Sequence, residues 1–85
     1  MDQDDVWREL VAAIREEIGD PGVAVTPSMT ANDIPGWDSL AHVRIVMNVE
    51  DRTDGVIEIS DTYKAATVGD LRDIVLKAAG KAKAA

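Results

Sequence analysis

The chain has no cysteine, one histidine, three prolines and few aromatic residues. Without cysteine there is no disulfide framework and no thiolate metal site. A single histidine, His42, leaves no room for a histidine-rich site. Basic residues are also scarce. Nine lysines and arginines stand against sixteen acids, for a net charge of −7. That balance argues against nucleic acid and anionic membranes as partners. It favours basic protein surfaces, reached quickly by electrostatic steering. The apolar runs are far too short to span a bilayer, and no signal peptide is read at the start. The expectation is a cytoplasmic monomer. Eighty-five residues suit one domain near the small end of what folds unaided. Its core is expected over about 4–79, with a frayed tail at 80–85.

What is present is organised around Pro35-Gly36-Trp37-Asp38-Ser39-Leu40. Asp38 stands just before an apolar-periodic run. Its side chain can accept from free N–H groups of a first helical turn, so it reads as an N-cap. Ser39 is then the first helical residue. Its hydroxyl lies where a helix presents unpaired N–H groups and partial positive charge, a setting that favours phosphate. Ser39 is therefore read as the attachment point of a phosphate-linked group.

Along the chain, residues 4–18 read as a helix. Val6, Leu10, Ile14 and Ile18 fall four apart, Trp7 and Val11 widen the stripe, and Gly19 suits the end. Residues 19–37 read as a long loop pinned by Val23, Val25, Met29 and Ile34, with a brief turn from Thr30 to Asp33. Residues 38–52 read as the second helix. Its core arc is Val43, Val46 and Val49, with Ile45 at the far edge. Leu40, Arg44, Met47 and Asp51 fall on another line that starts beside Ser39. Mixed apolar and charged side chains there suit a docking face. Gly55 is expected to stop the helix. Residues 56–66 read as an extended loop that drops Ile57 or Ile59 into the core, with a one-turn helix from Ser60-Asp61 through Lys64 and Ala65. The last helix covers 67–79. Thr67 and Asp70 have capping-box spacing, Leu71, Ile74, Val75 and Ala78 form the buried stripe, and Gly80 ends it. The sum is an all-α bundle of three long helices, one short helix and a long first loop.

Catalytic readings fail on their own chemistry. Gly36-Trp37-Asp38-Ser39-Leu40 lacks the second glycine of a nucleophile elbow. By helical spacing His42 shares a face with Ser39, but no carboxylate is placed to orient it. A calcium loop aligned on Asp54-Gly55 puts Arg52 at a ligand position, which defeats it. The acid pairs Asp4-Asp5, Glu16-Glu17 and Glu50-Asp51 are adjacent, so their carboxylates diverge on a helix.

The segments Asp33-Ile34-Pro35-Gly36-Trp37-Asp38-Ser39-Leu40-Ala41-His42-Val43, Glu58-Ile59-Ser60-Asp61 and Thr67-Val68-Gly69-Asp70-Leu71 resemble the acyl carrier protein family, which includes the peptidyl carrier domains. With the first helix they cover nearly the whole chain in the family's order. The resemblance implies a four-helix bundle and no enzymatic activity of its own. It implies that a phosphopantetheinyl transferase, using coenzyme A and magnesium, joins 4′-phosphopantetheine to Ser39, flanked by Trp37 and Asp38. The arm's thiol would carry an acyl or aminoacyl group as a thioester to loading and downstream enzymes. A long arm raises the effective concentration of cargo at each docked enzyme. Leu40, Arg44, Met47, Glu50 and Asp51 match the family's partner-facing positions. The chain departs from the pattern at Arg44, where fatty-acid carriers often have an acid, and at Thr53, where an aromatic often ends the second helix. Gly-Trp-Asp-Ser-Leu looks more like carriers of polyketide or peptide-type biosynthesis. The alternative is an interaction module that keeps the bundle and is not modified.

Overall fold

The computed structural model describes residues 2–84, and the side chains of residues 2–79. In order it runs α1 (Gln3–Ile18), a 3-10 turn (Ala31–Asp33), α2 (Ser39–Thr53), α3 (Ile59–Thr62) and α4 (Val68–Ala84). Among the described residues there are no strands. The expected all-α bundle of three long helices and one short one is what forms.

Each long helix starts on a side-chain cap. Asp2 accepts from the Asp5 N–H at 2.9 Å, and that bond holds its carboxyl below the usual carboxylate range. Asp38 caps α2. At α4, Thr67 Oγ1 accepts from the Asp70 N–H at 3.1 Å, and the Asp70 carboxylate accepts from the Thr67 N–H at 3.3 Å, the reciprocal pair expected from their spacing. Gly19 ends α1 in the left-handed region at φ +79°.

The core is aliphatic. Val6, Leu10, Ala13 and Ile14 from α1 meet Ile45, Val46 and Val49 from α2, and Val68, Leu71 and Val75 from α4. Burying each larger side chain contributes about 1.5–3 kcal/mol, the main term holding so small a bundle together. Ile34 from the first loop and Ile57 from the second complete it. Trp7, Val23, Val25 and Met29 pack around its margin.

Several local expectations are corrected. Ile45, expected at the edge of the α2 arc, is fully buried, while Val43 is only half-buried. The buried residues are Ala41, Ile45, Val46, Val49 and Thr53, so the apolar side is centred nearer Ile45 and Val49 than Val43. In α4, Ile74 and Ala78 are half-buried, and Val68 and Ala79 join Leu71 and Val75 inside. Gly55 does not stop α2. Asp54 takes the left-handed cap at φ 54°, and Gly55 lies buried against α4. A Cβ on Gly55 would stand 3.2 Å from the Ala78 and Ala79 backbone, so this glycine permits close approach. The short helix begins at Ile59, one residue before the expected Ser60-Asp61 start, and ends at Thr62, short of Lys64 and Ala65. Of the two isoleucines offered to the core, Ile57 is buried and Ile59 is 37% exposed. Gly80 does not end α4. The backbone stays helical to Ala84, because glycine keeps its N–H and the alanines beyond it favour helix. Residue 85 of the expected tail lies outside the described residues.

The long first loop is tied at both ends. Arg15 Nε donates to the Val23 carbonyl at 3.0 Å. The 3-10 turn carries its own capping box between Thr30 and Asp33, at the brief turn expected there. Beyond it the loop meets α4. Val68 and Gly69 donate their N–H groups to the Met29 and Pro27 carbonyls at 2.8 and 2.9 Å. Two orphan donors of α4 are thereby satisfied by loop backbone.

Candidate functional site

The chain reaches Ser39 through a tight turn. The Ile34 carbonyl accepts from the Trp37 N–H at 3.3 Å, Pro35 takes the second position, and Gly36 the third with φ +91°. Proline followed by a residue of positive φ is the pattern of a type II turn. Ile34, buried, fixes the start of this turn, and Trp37 packs on the core at its end.

Asp38 follows with extended backbone, and its Oδ1 accepts from the Ala41 N–H at 2.8 Å. Its carbonyl accepts the first α2 bond, from His42 N–H at 2.9 Å. Ser39 is the first residue of α2 and is exposed. The N–H groups of Ser39 and Leu40 have no carbonyl inside the helix to bond. The helix dipole places partial positive charge at the same end. The Ser39 hydroxyl is thus open to solvent, at a helix end whose field favours an anion. Asp38 caps α2 and Ser39 is its first residue, as the sequence led one to expect, and Ser39 is exposed.

His42 is not directed at Ser39 as a base. Trp37 Nε1 donates to His42 Nδ1 at 3.2 Å, and His42 Nε2 lies 2.8 Å from Thr62 Oγ1. The indole can only donate, so Nδ1 accepts and the ring proton sits on Nε2, facing Thr62. Thr62, itself buried, gives its hydroxyl proton to the Ile59 carbonyl at 2.6 Å. Tyr63 stacks on the imidazole, with ring centroids 4.6 Å apart. Burial pushes the His42 pKa below its ordinary value. The partner of His42 on α3, twenty residues away, left no signal in the spacing.

The expected docking line divides. Leu40 and Met47 are 59% and 60% exposed, an unusual state for large apolar side chains beside charges, and Arg44 and Asp51 are exposed between and beyond them. Glu50 differs. It is half-buried, and its carboxylate accepts from the Ile57 N–H at 2.7 Å, pinning the loop after α2. Two acids missed by sequence reasoning join the face from α1. Glu16 and Glu17 line a shallow groove with Arg44, Met47, Asn48 and Asp51. The Asn48 amide donates to both, at 3.0 and 2.7 Å, and Arg52 reaches Glu16 at 3.0 Å and Glu9 at 3.2 Å. Among the described residues no cluster of three or more potential ligands has metal-site geometry. None of the described helices is long and apolar enough to cross a membrane.

No family model matches the chain. It is similar to an acyl carrier protein of Exiguobacterium sp. (strain ATCC BAA-1283 / AT1b), with 34% identity over 71 residues, 84% of this chain and 90% of that protein. Among solved structures it is similar to the solution NMR structure of holo acyl carrier protein from Geobacter metallireducens. The TM-score is 0.77 at 28% identity, covering 91% of this chain and 87% of that one.

Proposed function

This chain belongs to the acyl carrier protein family, and on that premise we propose that Ser39 is where it is loaded with 4′-phosphopantetheine. The family consists of carriers, not enzymes, and works with a phosphopantetheinyl transferase and with biosynthetic enzymes. The observation that carries the assignment is the placement of Ser39. It is exposed and is the first residue of α2, directly behind the Asp38 cap. The residues present fit the group: the serine hydroxyl is open, and the helix end favours the phosphate. The arm supplies a thiol that holds an acyl or aminoacyl cargo as a thioester. The chain's own part is to present Ser39, and Leu40, Arg44, Met47 and Asp51 form the surface offered to partners. Glu50 supports that surface from behind through its bond to Ile57.

The cargo class is read as polyketide or peptide-type. Exposed Arg44 breaks an otherwise acidic face, and Trp37 precedes the Asp-Ser-Leu triplet. The names of the similar proteins make no distinction between such carriers and those of fatty-acid synthesis.

The test is intact-protein mass after incubation with coenzyme A, magnesium and a promiscuous phosphopantetheinyl transferase. One phosphopantetheine should be gained, and the gain should vanish in Ser39→Ala without loss of helical content. No gain on folded protein, together with an unmodified mass from the native cell, would establish an unmodified interaction module instead. For the cargo, the loaded protein should accept transfer from polyketide-type or adenylating loading enzymes faster than from fatty-acid enzymes. The reverse order would assign it to fatty-acid synthesis.

A further inference from the structure

The bonds around His42 form a one-way chain across three parts of the fold. Trp37, on the segment entering Ser39, donates to the ring; the ring donates to Thr62 on α3; Thr62 donates to the Ile59 carbonyl. Every member is satisfied, and each donor has one direction available. We propose that His42 is a positioning residue for the attachment segment: anchored on α3 through Thr62, its neutral imidazole holds Trp37 and so sets the course of the chain into Ser39, and protonation releases that segment while α3 stays in place. The link to loading rests on the assignment of Ser39 above.

The asymmetry follows from the two nitrogens. A second proton can go only to Nδ1, the atom that accepts from Trp37. Two N–H donors would then face each other at a distance where one must turn away. The Nε2–H bond to Thr62 is the same in both forms, and the stack with Tyr63 does not use a ring nitrogen as acceptor.

The surroundings contain little to oppose the effect. From α3 and the residues just after it, Tyr63 is the titratable group against the ring, and Asp61 and Lys64 pair with each other at 3.4 Å. From α4 and the residues leading into it, Thr67, Val68 and Leu71 line the small cavity beside the ring, with Ala31 from the 3-10 turn. On α2 itself, the Asp38 carboxylate is engaged with Ala41. Burial already disfavours the cationic ring. The short helix depends on the same bond. Four residues cannot hold a helix by themselves, and Thr62 is its one buried residue.

Heteronuclear NMR of the full, unmodified chain from about pH 8 to about pH 5 tests this directly. The Trp37 indole N–H and the Ser39 amide should shift together, with one proton and a midpoint below the ordinary histidine value of about 6.5. The Trp7 indole and the Thr62 amide should stay. In His42→Gln, which keeps an acceptor and a donor but gains no proton, the Trp37 and Ser39 signals should not titrate. In His42→Ala the Thr62 signals should move as well. A Trp37 signal indifferent to pH, or titration that persists in His42→Gln, overturns the proposal. The mass test separates it from the Ser39 reading. A shift with no loading and an unmodified mass from the native cell upholds the positioning and refutes the attachment site; loading without a shift does the reverse.

Discussion

The backbone N–H of Gly69 donates to the carbonyl of Pro27 at 2.9 Å, and a Cβ built on Gly69 would lie at that same distance from the same oxygen. The first turn of α4 and the first loop are thus in backbone contact, at a point where only glycine fits. Replacing Gly69 by alanine sets two effects against each other. Alanine is favoured in a helix by about 1 kcal/mol. Overpacking against backbone costs about 1–3 kcal/mol, and the Val68–Met29 bond beside it is disturbed as well. The clash should win. Gly69→Ala should lower the melting temperature in a calorimetric scan; a rise would show that the loop yields.

Asp38→Ala removes the carboxylate that accepts from Ala41 and leaves the start of α2 uncapped. The expected loss is about 1 kcal/mol. In a domain of this size that corresponds to a fall of about 4–8 °C in melting temperature. The circular dichroism spectrum at low temperature should be unchanged.

The lowered His42 pKa ties stability to pH. The unfolded chain takes up the imidazole proton before the folded chain does, so stability rises with pH through that window. This contribution is complete above the ordinary histidine value of about 6.5 and fades as pH falls from there through the lower folded value. Other acids also titrate, so the measurement is a difference. The melting temperature of the native protein, relative to His42→Gln, should drop across that interval. A constant gap would contradict the shift.

Arg44 is an exposed cation on an otherwise acidic surface, flanked by exposed Leu40 and Met47. Rim charges act mainly on association rate and partner choice. Arg44→Glu should leave the melting curve within error and change association rates with partner enzymes by roughly a factor of two to ten. Stopped-flow binding at low and high salt would show it, since the effect should shrink with salt. Equal rates across several partners would remove Arg44 from the docking surface.

By itself the sequence determined whatever depends on neighbours within about one helical turn. Asp38 before an apolar run specified a cap, and Thr67 with Asp70 specified another, because those bonds close within three residues. The position of Ser39 at the head of α2 was legible for the same reason, and so was the all-α class. Tertiary structure decided what depends on approach between distant segments. Periodicity gave α2 an apolar side, but the folded bundle took Ile45 rather than Val43 into the core. Glu50, expected at a partner-facing position, became the acceptor for Ile57. Gly55 looked like a stop signal and proved to be a contact with α4, while Asp54 took the cap. His42 acquired its meaning from Thr62 and Trp37, partners that only the folded bundle brings to its two nitrogens.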